Sequence, residues 1–156
     1  MRIEEVGEER IEEIIKLDEE ISWDFVDERV KEKLSYEEYA RRHRELFLEL
    51  LRSPGEQKFF AALDDNGNII GVAWIKIIWD TVNYVKFPYL MDINIKEGYR
   101  GKGIGTLLLN AVEDFCRKNG YDKIGLRVES SKKDLVNWYA RRGYSVRSFY
   151  MEKELK

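Results

Sequence analysis

The spacing of apolar residues alternates between helical and strand periods along the chain. Apolar positions three or four residues apart predict amphipathic helices, and short β-branched or aromatic runs bounded by turn residues predict strands. The predicted helices begin near Ile11, at Ser35, at Ile104 and at Asp134. The predicted strands are Met1–Val6, Lys58–Leu63, Ile69–Trp79, Tyr89–Ile95, Lys123–Val128 and Ser145–Leu155.

Turn and capping residues mark where these elements begin and end. Ser35 and Glu38 stand three residues apart, as in a capping box at the start of a helix. Asn66–Gly67 lies between two apolar runs and predicts a hairpin, whereas Asn119–Gly120 is typical of a helix C-terminus. The strand–helix–strand unit from Tyr89 to Val128 predicts a right-handed parallel crossover. The order of elements therefore predicts an α+β fold with a mixed sheet.

Length and composition narrow the class of protein. Neither a repeat nor a linker-like stretch divides the 156 residues, so we expect a single domain over residues 1–156. Cys116 is the one cysteine, which excludes an internal disulfide and favours a reducing compartment. No apolar run approaches the ~20 residues of a membrane span, and the acidic N-terminal stretch lacks the apolar centre of a signal peptide. We therefore expect a cytoplasmic protein, with neither a membrane nor a nucleic acid as partner.

Charge is distributed unevenly although the formal net charge is only −3. Residues 1–57 carry eight more acidic than basic side chains, and residues 100–156 carry six more basic than acidic ones. A basic region attracts anionic ligands, and an acidic region attracts cations. The same distribution is also compatible with a solvated surface on which the two regions interleave after folding.

A glycine-rich turn, Arg100–Thr106, joins a predicted strand to a predicted helix. The start of a helix offers unpaired backbone N–H groups and a partial positive charge, and glycines let an anion approach them. A P-loop is excluded because Ile104 stands where its lysine is needed, and a Rossmann turn lacks its third glycine at Thr106. A ribose-binding role for Glu129 keeps a dinucleotide site open, and an ordinary strand-to-helix turn without a ligand is the simpler alternative.

Three segments resemble the GNAT superfamily of N-acetyltransferases. Arg100-x-x-Gly103-x-Gly105, placed after the strand Tyr89–Ile95, is similar to the acyl-CoA loop of that superfamily. Trp138–Tyr144 resembles its Leu-Tyr-x-x-x-Gly-Phe segment, and Met151–Leu155 is typical of its last strand. The resemblance implies a GNAT-like fold with a mostly antiparallel sheet, a splayed parallel strand pair and about four flanking helices.

The resemblance also implies a donor and the residues that hold it. In this family acetyl-CoA is the co-substrate, without a metal; its pantetheine arm pairs with the splayed strand, and its pyrophosphate takes the N–H groups of the glycine loop. Lys132 replaces an asparagine that often contacts the cofactor, and Asn137 and Ser130 are both candidate substitutes. The implied cofactor-binding residues are Ile93, Asn94, Ile95, Arg100, Gly101, Lys102, Gly103, Ile104, Gly105, Thr106 and Asn137.

Direct acetyl transfer to an amine needs a group that removes a proton and a group that stabilises the departing thiolate. A lysine-type amine has a pKa of ~10.4 and is mostly protonated near pH 7. Asp92 is the ionisable group of the predicted splayed strand and is the candidate base, directly or through water. Met91 stands where relatives often have the first carboxylate of a Glu–Asp pair, and a structural carboxylate is an equal alternative for Asp92. The resemblance assigns Tyr139 to the thiolate, with a core aromatic as the alternative.

The acceptor-binding residues are expected near the first two helices and before the splayed strand, as the resemblance implies. Trp23 and Asp24, together with Trp79 and Asp80, combine aromatic faces and carboxylates, which suit a cationic amine. The alternative is that these aromatic side chains lie in the core and the acids are solvated.

Two further residues with reactive side chains are interpreted as packing residues. His43 lies on the apolar stripe of the second predicted helix, and as the single histidine it has no second imidazole with which to form a zinc site. Cys116 lies at the edge of the apolar stripe of the third helix, without a histidine nearby in the sequence to activate it.

The function that these features favour is acetyl-CoA-dependent N-acetylation of a primary amine on a small cationic acceptor, such as a polyamine or an aminoglycoside, by direct transfer. Acetylation of a protein or peptide amine is the first alternative. A non-catalytic module that binds coenzyme A or a dinucleotide is the second. The sequence is also compatible with a homodimer.

Overall fold

Four strands form one antiparallel sheet in the computed structural model, which describes residues 1–156. The order of the strands in the sheet is their order along the chain. They are β1 (Arg2–Val6), β2 (Gln57–Leu63), β3 (Ile69–Asp80) and β4 (Val85–Ile95). The helices are α1 (Ile11–Ser22), α2 (Glu28–Lys31), α3 (Tyr36–Arg52), α4 (Ile104–Lys118) and α5 (Lys133–Ala140), with 3-10 turns at Glu8–Arg10 and Trp23–Phe25. The predicted α+β class is confirmed.

The chain forms two compact units, Met1–Leu126 and Arg127–Lys156. The first unit contains the whole sheet with α1 to α4, and the second contains α5. In neither unit does a helix combine the length and the apolar character that crossing a membrane requires. The expectation of a single domain over residues 1–156 stays a prediction.

Different helices cover the two faces of the sheet. Trp74 of β3 lies 5.3 Å from Phe59 of β2 and 4.8 Å from Phe47 of α3, between ring centroids. On the opposite face, Phe60 of β2 lies 5.9 Å from Phe115 of α4. Because successive strand residues point to opposite faces, α3 covers the Trp74 face and α4 the other. The buried cluster on the Trp74 face includes Ile14, Ile15, Leu17 and Ile21, which add α1 to that face.

Local turn chemistry sets three boundaries where the sequence predicts them. The Glu38 N–H donates to Ser35 Oγ at 3.2 Å, which confirms the start of α3. Gly67 N–H donates to the Asp64 carbonyl at 3.0 Å, which closes the hairpin between β2 and β3. Asn119 follows the last residue of α4, so the predicted end of that helix is also confirmed.

Two predicted strands are absent from the structure. Lys123–Val128 contributes one parallel bridge, between Gly125 and Tyr89 of β4, and no ladder. Ser145–Leu155 has no regular secondary structure, and its side chains are exposed. The prediction of these strands was wrong because β propensity measures how well a residue fits a paired, half-buried surface, and here no ladder supplies that surface.

Candidate active site

A β-bulge in β4 turns Asp92 towards α1 and α3. On β3, Ile75 lies opposite Leu90 of β4. The preceding residue, Trp74, lies opposite Asp92, which leaves Met91 as an extra residue without a partner. Directly opposed residues of an antiparallel pair share a face of the sheet, so Asp92 lies on the Trp74 face. If Met91 paired with Trp74 in a regular strand, Asp92 would lie opposite Ala73, share the face of Leu90 and point towards α4.

The carboxylate of Asp18, on α1, is buried at the centre of a polar cluster. His43 of α3 places Nε2 2.5 Å from Asp18 Oδ2, and Asn94 of β4 donates from Nδ2 to Oδ1 at 2.5 Å. Ser22, one turn further along α1, donates from Oγ to Oδ2 at 3.3 Å. The carboxyl group of Asp92 also forms a hydrogen bond with Asp18. Side chains from two helices and one strand therefore converge on one buried carboxylate.

The two carboxyl groups of this cluster differ in ionisation. Burial, and then the negative charge of Asp18 and the hydrogen bond to it, raise the pKa of Asp92 to about 9. Burial acts to raise the pKa of Asp18 as well, but the hydrogen bonds to its carboxylate, chiefly from His43 and Asp92, hold it below the ordinary value. Near pH 7, Asp92 is therefore a neutral acid, and Asp18 carries the charge.

His43 and Cys116, which were interpreted as packing residues, both have low exposure, but His43 also contacts the Asp18 carboxylate. The His43 ring lies 5.8 Å from the Tyr39 ring and 5.9 Å from the Phe47 ring. Its Nδ1 is buried without a hydrogen-bond partner, whereas its Nε2 faces Asp18, a contact that the sequence interpretation missed. Cys116 is buried, and burial raises the pKa of its thiol to about 11, so it is not poised as a nucleophile.

An aromatic cluster formed by Trp23, Tyr36 and Tyr39 joins the 3-10 turn after α1 to the first turns of α3. The Trp23 ring centroid lies 5.4 Å from that of Tyr36 and 4.8 Å from that of Tyr39. Lys31 places its ammonium 5.1 Å from the centre of the Trp23 ring, so this ring already faces one cation. Asp24, predicted to bind the acceptor with Trp23, is exposed beside it.

Trp79 and Asp80 lie at the far end of β3 and are not joined to the aromatic cluster. The Asp80 carboxylate accepts backbone hydrogen bonds from the following turn at 2.9 and 3.0 Å and pairs with Lys123 at 2.9 Å. Chiefly through Lys123, these contacts hold the pKa of Asp80 well below its usual range. Trp79 is exposed and, as the neighbouring strand residue, points to the opposite face. No ring contact or hydrogen bond connects either residue to Trp23.

The glycine loop between β4 and α4 presents open backbone at the start of a helix. Gly101 and Gly103 have φ of +75° and +82°, and a Cβ at either position would have no heavy atom within 4 Å. The helix begins after Gly103 with no side-chain cap and no acidic residue in its first turn, and Arg100 and Lys102 are exposed. These features together suit an anion. The first residues of α4 are Ile104, Gly105 and Thr106.

The outer edge of β4 has no strand partner beyond Leu90. Leu90 N–H donates to the Gly125 carbonyl at 2.8 Å, and Gly125 N–H donates to the Pro88 carbonyl at 3.0 Å. This parallel pairing stops there, while β3 pairs with the inner edge as far as Ile95. At the end of this edge the Ile95 carbonyl accepts from Arg100 Nε at 3.2 Å. A strand edge without a strand partner can accept an extended chain through its backbone groups. The residues predicted for this role are Ile93, Asn94 and Ile95.

The second unit contains the segment that carries Tyr139. Tyr139 is buried, with its ring centroid 4.9 Å from that of Trp138 and 5.5 Å from that of Tyr144. Asn137 lies in α5 and its carbonyl accepts from the backbone after the helix at 3.0 Å, while Lys132 precedes the helix without capping it by its side chain. The catalytic role of Tyr139 and the cofactor-binding role of Asn137 stay predictions.

The sequence interpretation missed Asp18, although the chain carries a signal for it. Buried residues of α1 flank Asp18 at helical spacing, and Tyr39 and Phe47 flank His43 in the same way on α3. A polar residue at the centre of an apolar stripe on each of two helices predicts that the two meet in the core. Their cluster does not have the arrangement of a metal site.

Comparisons with known proteins identify the family. The sequence profile of the acetyltransferase (GNAT) family matches residues 15–144. A solved structure of a Pyrococcus furiosus protein assigned as an acetyl transferase is 48% identical, with a TM-score of 0.88 over 99% of each chain. An uncharacterized N-acetyltransferase of Bacillus subtilis, YdgE, is 25% identical over 104 residues, which are 67% of this chain and 65% of YdgE. Streptothricin acetyltransferase of Streptomyces lavendulae is 28% identical over 91 residues, 58% of this chain and 46% of that protein.

The match to the family profile covers well over half of the chain. The matched residues include the glycine loop, the Asp18–Asp92 carboxyl pair and Trp138–Tyr144. The chain spans less than two thirds of the two curated relatives. The fold agrees over nearly the full length with that of the Pyrococcus furiosus protein. The chain therefore belongs to the GNAT acetyltransferase family.

Proposed function

We propose that this protein transfers the acetyl group of acetyl-CoA directly to the primary amine of a small cationic acceptor of the polyamine or aminoglycoside type. The observation that carries the proposal is the open glycine loop at the uncapped start of α4, next to a strand whose outer edge has no strand partner beyond Leu90. Members of the GNAT family use acetyl-CoA as their donor.

The loop and the strand edge fit the two ends of that donor. A diphosphate would take the backbone N–H groups around Gly103, helped by the helix dipole and by the exposed charges of Arg100 and Lys102. The pantetheine arm would hydrogen-bond to the outer backbone groups of Ile93–Ile95, of which the Ile95 carbonyl already accepts from Arg100 Nε at 3.2 Å. Bound in this way, acetyl-CoA supplies an activated acetyl thioester.

Two side chains of the protein would take part in the chemistry: Asp92 by accepting a proton and Tyr139 by stabilising negative charge. We assign Asp92 as the group that takes the proton of the acceptor ammonium, since it is the carboxyl of β4, the strand assigned to the donor. Tyr139 would donate a hydrogen bond from its hydroxyl group to the sulfur as negative charge develops there. Direct transfer is supported by Cys116, because its burial leaves no thiolate to form an acyl-enzyme.

The region around Trp23 supports a cationic acceptor. Its indole ring already lies against the Lys31 ammonium, and Asp24 is exposed beside it. Residues 1–57 carry an excess of eight acidic side chains, which attracts cations over a longer range. One relative is named for streptothricin as its acceptor, which also supports a small molecule in this role.

Thiol release from acetyl-CoA, measured with a panel of amines, tests the proposal. The panel contains polyamines, aminoglycosides, neutral monoamines and peptides with a free α-amine or lysine. We expect release above the rate of hydrolysis with cationic small amines, and lower release with neutral monoamines. Release with peptides alone would contradict the acceptor class, and no release with any amine would contradict the transferase function.

Calorimetry separates an enzyme from a binding module with a different ligand. We expect acetyl-CoA to bind to the purified protein and NAD not to bind. Binding of NAD without binding of acetyl-CoA would overturn the assignment of the glycine loop and support the dinucleotide alternative.

A further inference from the structure

We propose that Asp18 and His43 are positioning residues of the acetyl transfer: they hold Asp92 in a carboxyl pair that shares one proton, and loss of that proton makes Asp92 the acceptor of the ammonium proton. This inference rests on the proposed function, and it assigns a catalytic consequence to a buried cluster that the sequence did not predict.

The arrangement of the pair favours a shared proton. Asp92 lies on the face of the sheet covered by α1 and α3, as does Asn94, whose Nδ2 donates to Asp18 Oδ1 at 2.5 Å, and the carboxyl groups of Asp18 and Asp92 interact there. A carboxylate has no hydrogen to donate, so a hydrogen bond between two carboxyl groups needs a proton on one of them. Two adjacent carboxyl groups in a buried site do not both ionise near neutral pH. The cluster therefore carries one negative charge and one proton.

The hydrogen-bond partners decide which group holds the proton. Asp18 accepts from Asn94 Nδ2 and Ser22 Oγ and faces His43 Nε2. Asp92 accepts one further hydrogen bond, from backbone at Ile93. Because Asp18 has more donors, the charge lies on Asp18 and the proton lies on Asp92.

The imidazole of His43 holds the Asp18 carboxylate in place. Its Nε2 lies 2.5 Å from Asp18 Oδ2, and its Nδ1 is buried without a hydrogen-bond partner. A hydrogen on Nε2 donates to Asp18 Oδ2. Through this bond His43 stabilises the charge on Asp18 and keeps it next to Asp92.

No other charged group on this face neutralises the pair. From α3, Tyr39 donates its hydroxyl hydrogen to the Glu19 carbonyl at 2.8 Å, and burial raises the pKa of Tyr39 well above its ordinary value. From β3, Lys76 directs its ammonium to the carbonyls of Leu50 and Ser53, at 2.7 and 2.9 Å. Asn94 is the neutral neighbour on β4. Apart from the His43 ring, no cation on this face therefore offsets the charge that Asp18 exerts on Asp92.

This charge makes Asp92 a stronger base once it is ionised. In the transfer step the ammonium N–H bond breaks and its proton passes to the Asp92 carboxylate, while the electron pair stays on nitrogen. The amine then forms the N–C bond as the C–S bond breaks and its electron pair goes to sulfur; the acylated nitrogen gives its second proton to the thiolate, so that the products are a neutral amide and the free thiol. The pKa of Asp92 is about 9, and that of a lysine-type ammonium is ~10.4. The equilibrium for proton transfer from the ammonium to the Asp92 carboxylate is therefore unfavourable by about 25-fold. For an aspartate with its ordinary pKa it would be unfavourable by roughly three million-fold.

The pH dependence of kcat/KM tests the inference with two variants that act in opposite directions. For the wild-type protein we expect a rise towards alkaline pH with an apparent pKa near 9. Asp18→Asn removes the neighbouring charge, so its profile should move to lower pH by at least one pH unit, with a lower maximum. His43→Phe keeps an aromatic ring in place but removes a donor to Asp18, so its profile should move to higher pH. Damage to the fold alone would not shift the two profiles in opposite directions.

Glu20→Gln is the matched control, because it removes the same charge from an exposed position on α1. Its profile should coincide with that of the wild type. An Asp18→Asn profile with an unchanged midpoint would overturn the inference. So would equal shifts in Asp18→Asn and Glu20→Gln, because a long-range effect of net charge would then explain both.

A measurement without substrates separates this inference from the proposed function. Carbon-13 spectra of protein labelled at the aspartate carboxyl groups should show one carboxyl that titrates near pH 9 and vanishes in Asp92→Asn. That titration should move to lower pH in Asp18→Asn. If both carboxyls are ionised at pH 7, the shared proton does not exist and the inference fails, whatever the activity. If the shared proton is present but no amine is acetylated, the proposed function fails, and with it the catalytic assignment.

Discussion

The ring of Phe87 occupies the space that a side chain on Gly125 would need. A Cβ at position 125 would lie 2.7 Å from Phe87 Cε2, well inside van der Waals contact. Gly125 also forms the single parallel bridge, with Tyr89, at the point where pairing along the outer edge of β4 stops. The absence of a side chain at position 125 therefore permits the close approach that defines where the open part of this edge begins.

Gly125→Ala should destabilise the protein by about 1–3 kcal/mol, the usual cost of forcing an extra methyl group into a filled space. Thermal unfolding and urea unfolding both measure the change. Gly7→Ala is the control, because a Cβ there would meet only the flexible carboxylate end of Glu9. A loss for Gly125→Ala no larger than for Gly7→Ala would mean that the Phe87 ring can move aside.

Gly103→Ala should weaken the binding of acetyl-CoA at least tenfold, because a methyl group would project into the space assigned to the diphosphate. Gly67→Ala is a matched control: Gly67 has nearly the same φ, +80°, and equally open surroundings, but it lies in the β2–β3 hairpin. Both variants should lose similar stability, about 1 kcal/mol, from the left-handed backbone. Calorimetry measures the affinities; equal affinities for the two variants would remove Gly103 from the donor site.

Tyr139→Phe should lower kcat by about 10- to 100-fold and leave the affinity for acetyl-CoA nearly unchanged. The substitution removes one hydroxyl group and keeps the ring contacts with Trp138 and Tyr144. Loss of a hydrogen bond made only as charge develops on sulfur acts on kcat rather than on ground-state binding. Steady-state kinetics and calorimetry test both parts. Wild-type turnover in the variant would support the interpretation of Tyr139 as a core aromatic residue.

Asp92 should make the protein less stable as the pH rises. Its pKa in the folded protein is about 9, against ~3.9 for an unfolded chain, so the folded state binds the proton more tightly. The stabilisation is complete below pH ~4 and is lost as the pH approaches 9. Asp18 has a lowered pKa and changes little in this window. We expect the wild-type Tm to fall between pH 6 and pH 8.5 and the Tm of Asp92→Asn to fall less; parallel curves would show that Asp92 is already ionised at pH 6.

Substitution of Trp23 should raise KM for a cationic acceptor in proportion to the loss of its π face. Trp23→Leu should raise KM by about 2- to 30-fold, as expected for a cation–π contact of about 0.5–2 kcal/mol, and Trp23→Phe should raise it less. KM for a neutral amine should change little, which provides the control within the same variants. Equal effects on cationic and neutral acceptors would indicate that Trp23 only supports the fold of this region.

The sequence predicted those boundaries of helices and strands that depend on neighbouring residues. The Ser35 cap, the hairpin at Asn66–Gly67 and the end of α4 at Asn119 all follow from the preferences of those residues and their immediate neighbours. The two predicted strands that are absent, Lys123–Val128 and Ser145–Leu155, depend on partners elsewhere in the chain. Pairing with a distant segment cannot be inferred from β propensity alone.

For the candidate site, the sequence identified Asp92 but not the group that controls it. Its partner Asp18 is far away in the chain, and the contact depends on Met91 being an extra residue in β4. A bulge is difficult to predict from a single sequence, because the residues Leu90–Met91–Asp92 are equally compatible with a regular strand. The placement of Trp79 away from Trp23 is likewise a result of strand alternation, which composition does not reveal.

The bulge at Met91 makes the backbone conformation of β4 matter more than its apolar composition. Deletion of Met91 would restore regular pairing with Asp92 still opposite Trp74, because Leu90 and Asp92 already lie on opposite faces. Loss of the bulge at unchanged length would instead place Asp92 opposite Ala73 and turn Asp92 and Asn94 away from α1 together. The local conformation at Met91, and not the number of residues in β4, therefore keeps both side chains next to Asp18.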